Sequence, residues 1–129
     1  MKSRWIFRLY NLLVLLALPF ILLGVLLRWR KRFAKGVEAV IAEYQLPWII
    51  KQLGCRVEYW FRPEPPKNGS EAAAAADSEL DRYMHLAALN RGILMTPFHN
   101  MALIAAGTSN ADVDHHTQVF KESVEQLLH

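Results

Sequence analysis

The chain has 129 residues, 53% of them hydrophobic, and its 15 Lys/Arg against 12 Asp/Glu give a formal net charge of +3. That balance alone would suggest nucleic acid, but its distribution excludes it: residues 1–35 hold eight basic side chains and no acid, whereas the 94 that follow hold seven basic against twelve acidic, a net of −5. The basic excess sits on an apolar rod and its flanks, where it speaks of membrane topology and not of DNA or RNA, and a single cysteine, Cys55, excludes an internal disulfide and fits a reducing compartment.

Between residues 9 and 27 the only polar side chain is Asn11. Nineteen helical residues rise about 28 Å, close to the hydrocarbon thickness of a bilayer, so a transmembrane helix is predicted here. Pro19 removes one backbone hydrogen bond and is expected to kink it. Trp5, Tyr10 and Trp29 fall near its ends, where amphipathic rings prefer the headgroup region. A cleaved signal peptide would have a shorter apolar region and a small-residue cleavage site, which Arg28, Trp29, Arg30, Lys31 and Arg32 do not offer; a buried core helix would need a larger domain around it. Five basic residues follow the segment, against three and the amino terminus before it, which predicts a single-pass membrane protein with its C-terminal domain in the cytoplasm. The basic run reads as stop-transfer and headgroup contact. From residue 9 to Arg32 the chain also resembles, in composition, the N-terminal membrane segment of bacterial Kdo transferases, which glycosylate lipid A, although their glycosyltransferase domain does not follow.

The character of the chain changes between Lys35 and Glu38, dividing it into a membrane anchor with basic flanks at 1–35 and one small domain at 36–129. No second core fits in 94 residues. Val37, Val40, Ile41 and Tyr44 recur at i, i+3, i+4, i+7, predicting an amphipathic helix over about 33–45 that stops before Pro47 and continues the membrane helix. Residues 48–53 are extended in type, and after Gly54 the set Cys55, Val57, Tyr59, Phe61 alternates with Arg56, Glu58, Trp60, Arg62 as in a half-buried strand. Residues 63–69, with three prolines and a glycine, form a loop.

The alanine run at 72–76 predicts a short helix. Ser78 to Asp81 has the form of a capping box for a helix that buries Leu80, Tyr83, Met84 and Ala87 and ends at Gly92. Ile93 to Met95 predicts a short strand, 96–100 a turn, and 101–106 a second strand paired with the first as a hairpin. Ser109 to Asp112 repeats the capping-box form before a closing helix with Val113, Phe120, Val124, Leu127 and Leu128 on its apolar face. The sum is an α+β fold: an N-terminal transmembrane helix, then a small domain of a short sheet packed on one side by helices.

Chemistry is sparse. Asp112, Asp114, His115 and His116 are the densest set of potential ligands, but consecutive helical positions diverge by about 100°, so only Asp112 and His116 share a face and no metal site is expected. Cys55 alternates onto the apolar strand face and reads as a buried structural thiol, not a nucleophile served by His85 or His99. No Gly-rich phosphate loop, His-Glu-x-x-His or Gly-x-Ser-x-Gly occurs, so no catalytic residue is assigned. Phe98, His99 and Asn100, polar and aromatic groups in a turn between buried segments, are the candidate binding residues.

Residues 46–48, 53–59, 62–69 and above all 89–103, from Leu89, Asn90, Arg91 and Gly92 to Asn100, Met101, Ala102 and Leu103, resemble the C-terminal small domain of class III aminotransferases, the pyridoxal-phosphate-dependent family that includes glutamate-1-semialdehyde aminomutase. Residues 110–128 are similar to the family's last helix. The resemblance implies a substrate-side lid and dimer-contact domain, with Phe98, His99 and Asn100 near a substrate entrance. It also implies pyridoxal phosphate for the family but no cofactor for this chain alone. The large domain that supplies the Schiff-base lysine is absent, and Lys51, Lys67 and Lys121 do not sit in that context. The expected partners are therefore the membrane and an aminotransferase large domain or a second copy, with no nucleic acid. The function expected is a membrane-anchored partial aminotransferase, not catalytic alone; the alternative is a membrane-tethered interaction module with no enzymatic role.

Overall fold

A computed structural model describes residues 2–96, 100–105 and 107–129, except for the side chains of residues 2–12, 21–23 and 25–30. One long helix, α1 (Lys2–Glu43), leads into a hairpin of β1 (Ile49–Leu53) and β2 (Arg56–Trp60); α2 (Gly69–Ala74), α3 (Ser78–Leu89), β3 (Met101–Leu103) and α4 (Asn110–Leu128) follow. The domain is α+β, as expected.

α1 has two halves with different surroundings. Residues 13–20 are all apolar and all exposed. From Phe33 onward the same helix enters the core, burying Phe33, Val37, Val40 and Ile41 at the spacing the sequence predicted. Pro19 lies inside the helix. Among the described residues no helix is long and apolar enough to cross a membrane; the expected span over 9–27 draws on side chains outside that set.

α1 ends in a Schellman motif: Leu46 N–H bonds Ile41 C=O at 3.0 Å, Gln45 N–H bonds Ala42 C=O at 3.2 Å, and Gln45 takes φ +50°. The chain then reverses, and β1 runs back along α1. Gly54, φ +60°, opens the two-residue turn between Leu53 and Arg56. The sheet order is β1-β2-β3, antiparallel throughout. Val57 and Tyr59 point to the helices and are buried, which sends Arg56, Glu58 and Trp60 to the other face.

α4 lies along α1 in the same direction, as the pairs Arg32–Asp114, Phe33–His116, Lys121–Glu43 and Tyr44–Glu125 show. Phe120 brings α4 onto the sheet, its ring 5.1 Å from Tyr59, which with Trp48 and Phe61 makes an aromatic cluster. α3 crosses back over α4, tied by Tyr83 Oη donating to Ser123 C=O at 2.8 Å.

Several expectations need correction. Cys55 is exposed, because it occupies the hairpin turn and not the strand. Glu58, placed outward by parity, is buried beside the alanines of 72–76. The short helix begins at Gly69, where Asn68 caps it, and ends at Ala74. Asp77, not Ser78, caps α3, its carboxylate accepting from Glu79 and Leu80 N–H.

Residues 93–95 are not a strand. Gly92, φ +80°, closes α3 in a second Schellman motif that commits Ile93 N–H to Ala88 C=O, and β3 pairs with β2 instead. β3 stops at Leu103, short of the expected 106. The capping box of Ser109 and Asp112 is present, but Leu127 and Leu128 on the last turn of α4 are exposed.

Candidate functional site

Asn100 is the one described member of the expected trio; Phe98 and His99 lie outside the described residues. Its backbone carbonyl accepts Tyr59 N–H at 3.1 Å, extending the β2–β3 pairing by one bond, and its side-chain amide donates to Asp81 on α3. These bonds fix the start of β3 against both sheet and helix. Beside them lies a cavity of about 230 Å³ lined by Glu58, Tyr59, Trp60, Phe61, Asp81 and Asn100, with four alanines from residues 72–76 closing one wall. Burial pushes the Tyr59 phenol up, with the Asp81 charge adding to it, so the phenol stays protonated at neutral pH.

A second cavity, of about 300 Å³, opens between α1, α4, β3 and the segment after α3. Phe33, Leu94, Met95 and Ile104 make it apolar; Asp112, His115 and His116 supply the polar groups. His116 is only 7% exposed, its ring 4.2 Å from Phe33, and its Nδ1 has no hydrogen-bond partner. Burial lowers its pKa to about 4, with nearby His115 adding to the effect, so the ring is neutral at pH 7. The sequence signalled this residue, since 113, 116, 120 and 124 form one stripe of α4, but its polar type hid it.

The four potential ligands on α4 have separate tasks. Asp112 caps Ser109, and the hydrogen bonds it accepts there hold its carboxyl below the usual carboxylate range. Asp114 takes a bidentate ion pair from Arg32 at 2.7 and 2.8 Å, with the same effect on its pKa. His115 Nε2 lies 3.0 Å from Arg91 C=O, and His116 belongs to the core. Asp112 and His116 line one cavity, but His115 lines it as well, so the cavity is not confined to the pair that the i, i+4 spacing singled out. Among the described residues no group of three or more His, Cys, Asp or Glu is placed to hold a metal ion.

The residues present do not fit pyridoxal phosphate. A Schiff-base lysine must face a cavity with its amine pKa lowered. Among the described residues no lysine lines either cavity, and Lys121 is held in the opposite state: its Nζ donates to Glu43 at 2.6 Å and that bond raises its pKa.

No family model and no curated protein matches the chain. Solved structures do. A glutamate-1-semialdehyde aminomutase from Pseudomonas aeruginosa PAO1, in complex with PMP, is 37% identical with a TM-score of 0.79 over 81% of this chain. Another structure of such an aminomutase from the same organism is 39% identical, with a TM-score of 0.75 over 78%. An omega-transaminase from Sphaerobacter thermophilus shares the fold at 16% identity, with a TM-score of 0.71 over 84%. This chain spans only 23%, 22% and 25% of those three chains. The fold is thus aminotransferase-like and corresponds to a fraction of such an enzyme, as the sequence resemblance implied; none of these structures is a Kdo transferase, and that resemblance is carried no further.

Proposed function

We propose that this chain is a membrane-anchored partial aminotransferase of the class III, pyridoxal-phosphate-dependent kind: residues 1–35 anchor it, residues 36–129 are the small domain, and it has no catalytic centre of its own. The likeness to the aminomutases carries this reading, at 37% and 39% identity over about four fifths of this chain and less than a quarter of theirs. The anchor rests on the eight exposed apolar residues of 13–20 within a 19-residue apolar run, and the cytoplasmic placing of the domain on the basic residues that follow it. The matching large domain, or a second copy, is the expected partner, and the family resemblance would put Asn100, with Phe98 and His99 outside the described residues, near a substrate entrance.

What the chain's own residues do in this reading is positional. Asp81 and Asn100 hold the start of β3, and the alanine wall beside them leaves room for a neighbouring group. Adding pyridoxal phosphate to the purified full chain in detergent tests the absence of a cofactor site. No saturable one-to-one aldimine absorbance is expected; one that disappears on substituting a single lysine would refute the reading.

A further inference from the structure

The end of the domain from which the rod emerges is built unlike the other end. Because α1 and α4 run the same way and β1 runs back along α1, that end gathers Phe33, the first turn of α4, the Gly54–Cys55 hairpin tip and the end of β3. The contacts agree: Arg32 holds Asp114, Ile104 N–H bonds Cys55 C=O at 3.0 Å, and Ile104 and Leu103 line one cavity with Phe33. Register places Leu53, Arg56 and Leu103 side by side across three strands, on the sheet face turned away from the helices. Leu53 is 78% exposed and Leu103 65%, and Leu94, in the wall of the same cavity, is 80% exposed. Outside the rod, these are the three most exposed large hydrophobic residues described, and all lie at this end.

Charge divides the same way. Lys31 and Lys35 are exposed here, and Arg32 and Arg56 are half exposed. The acids at or next to this end are Asp112, which caps Ser109, Asp114, which holds Arg32, and Glu38, exposed less than a turn past Lys35; Glu58, one rung along the sheet, takes a bond from Arg56. Glu43, Asp77, Glu79, Glu122 and Glu125 belong to the far end of the domain or its approach, as the Lys121–Glu43 and Tyr44–Glu125 contacts and the Asp77–Leu127 cavity show.

We propose that this end docks on the bilayer, with Leu53, Leu94 and Leu103 inserted at the headgroup boundary and the basic residues on anionic headgroups. The proposal rests on the anchor reading above. Its occupant follows from continuity: the exposed apolar rod leaves the domain from this face, so a bilayer holding the rod meets these leucines first. Apolar side chains ringed by Lys and Arg are what an interfacial contact requires, and a basic fringe adds attraction to acidic lipid.

Cys55 is the only cysteine and sits at the hairpin tip, so it reports directly. The full chain is labelled there with the fluorophore NBD, reconstituted into mixed phosphatidylcholine and phosphatidylglycerol vesicles, and floated. A Cys55→Ser, His129→Cys variant carries the label at the far end of α4. Nitroxide lipids with shallow spin labels should quench the Cys55 label at least about twofold more than the far label, and Leu53→Ser, Leu94→Ser, Leu103→Ser together should abolish the difference without loss of flotation. Equal quenching at the two sites in floated protein overturns the docking while leaving the anchor intact. A blue-shifted Cys55 label that nitroxide lipid does not quench also overturns it, pointing to a protein, such as a second copy, on that face. Failure to float overturns anchor and docking together.

Discussion

His116 carries the clearest consequence of a single side chain. Its ring is buried between Phe33 and Phe120 with Nδ1 unbonded, so charging it inside the domain is opposed by desolvation. The folded pKa of about 4 lies below the ordinary 6.5, so between these values the unfolded chain binds the proton first. The sign follows: stability is complete above pH 6.5 and falls as pH drops toward 4, by about 3 kcal/mol at roughly 1.4 kcal/mol per pKa unit. Urea unfolding across pH 4 to 7 reads this slope directly, and His116→Leu should flatten it; an unchanged slope in the variant would assign it elsewhere. Gln45 offers a second test. It holds the left-handed position that Gly92 holds in the matching motif of α3, and a side chain there crowds the backbone. Gln45→Gly should therefore raise stability by about 0.5–1 kcal/mol, measured by the denaturant midpoint, whereas Gly92→Ala should lower it by a similar amount.

At the scale of elements, the packing of α1 on α4 turns on Gly36. A Cβ at this position would lie 2.4 Å from Thr117 Oγ1 and 3.0 Å from its Cγ2, and Thr117 is held by its bond to Val113 C=O. Overpacking of this kind costs about 1–3 kcal/mol, more than the roughly 1 kcal/mol that alanine adds to helix propensity. Gly36→Ala should destabilise, and Thr117→Ala should reverse the loss when combined with it; strictly additive effects in a double-mutant cycle would show that the two do not meet.

Much of this element pattern was legible beforehand. The apolar spacing of α1, the alternation in β2, the Ser109 capping box and the closing role of Gly92 all depend on neighbours in sequence, where periodicity and cap chemistry act. What was missed depends on distant partners. Ile93 has strand composition, but its N–H is spent on closing α3, and the pairing that sequence assigned to it goes to β2, some forty residues earlier. Cys55 fell into the turn because the hairpin loop took two residues, and Leu127 and Leu128 stay exposed at the end of α4, Leu127 only bordering a cavity with Leu80 and Tyr83 of α3. Of the candidate site, the placing of Asn100 in a held turn could be read in advance, whereas its partner Asp81 and the alanine wall required the fold.

Across the whole molecule, the seam in composition and the boundary in packing do not coincide. Composition changes between Lys35 and Glu38, yet α1 passes through without a break and Phe33 and Arg32 already serve the domain. An anchor joined by a flexible linker would leave the domain free to tumble; in the proposed anchoring, a continuous helix that is also a core element would fix which end faces the bilayer. That rigidity is what gives meaning to the basic, leucine-rich end and the acidic far end. Hydrogen exchange of the full chain in lipid nanodiscs tests most directly whether α1 is both anchor and core helix of an aminotransferase-like domain. Slow exchange is predicted over 13–20, from lipid, and over 33–41, from packing against α4 and the sheet. Fast exchange over 13–20 beside a protected 33–41 would contradict it.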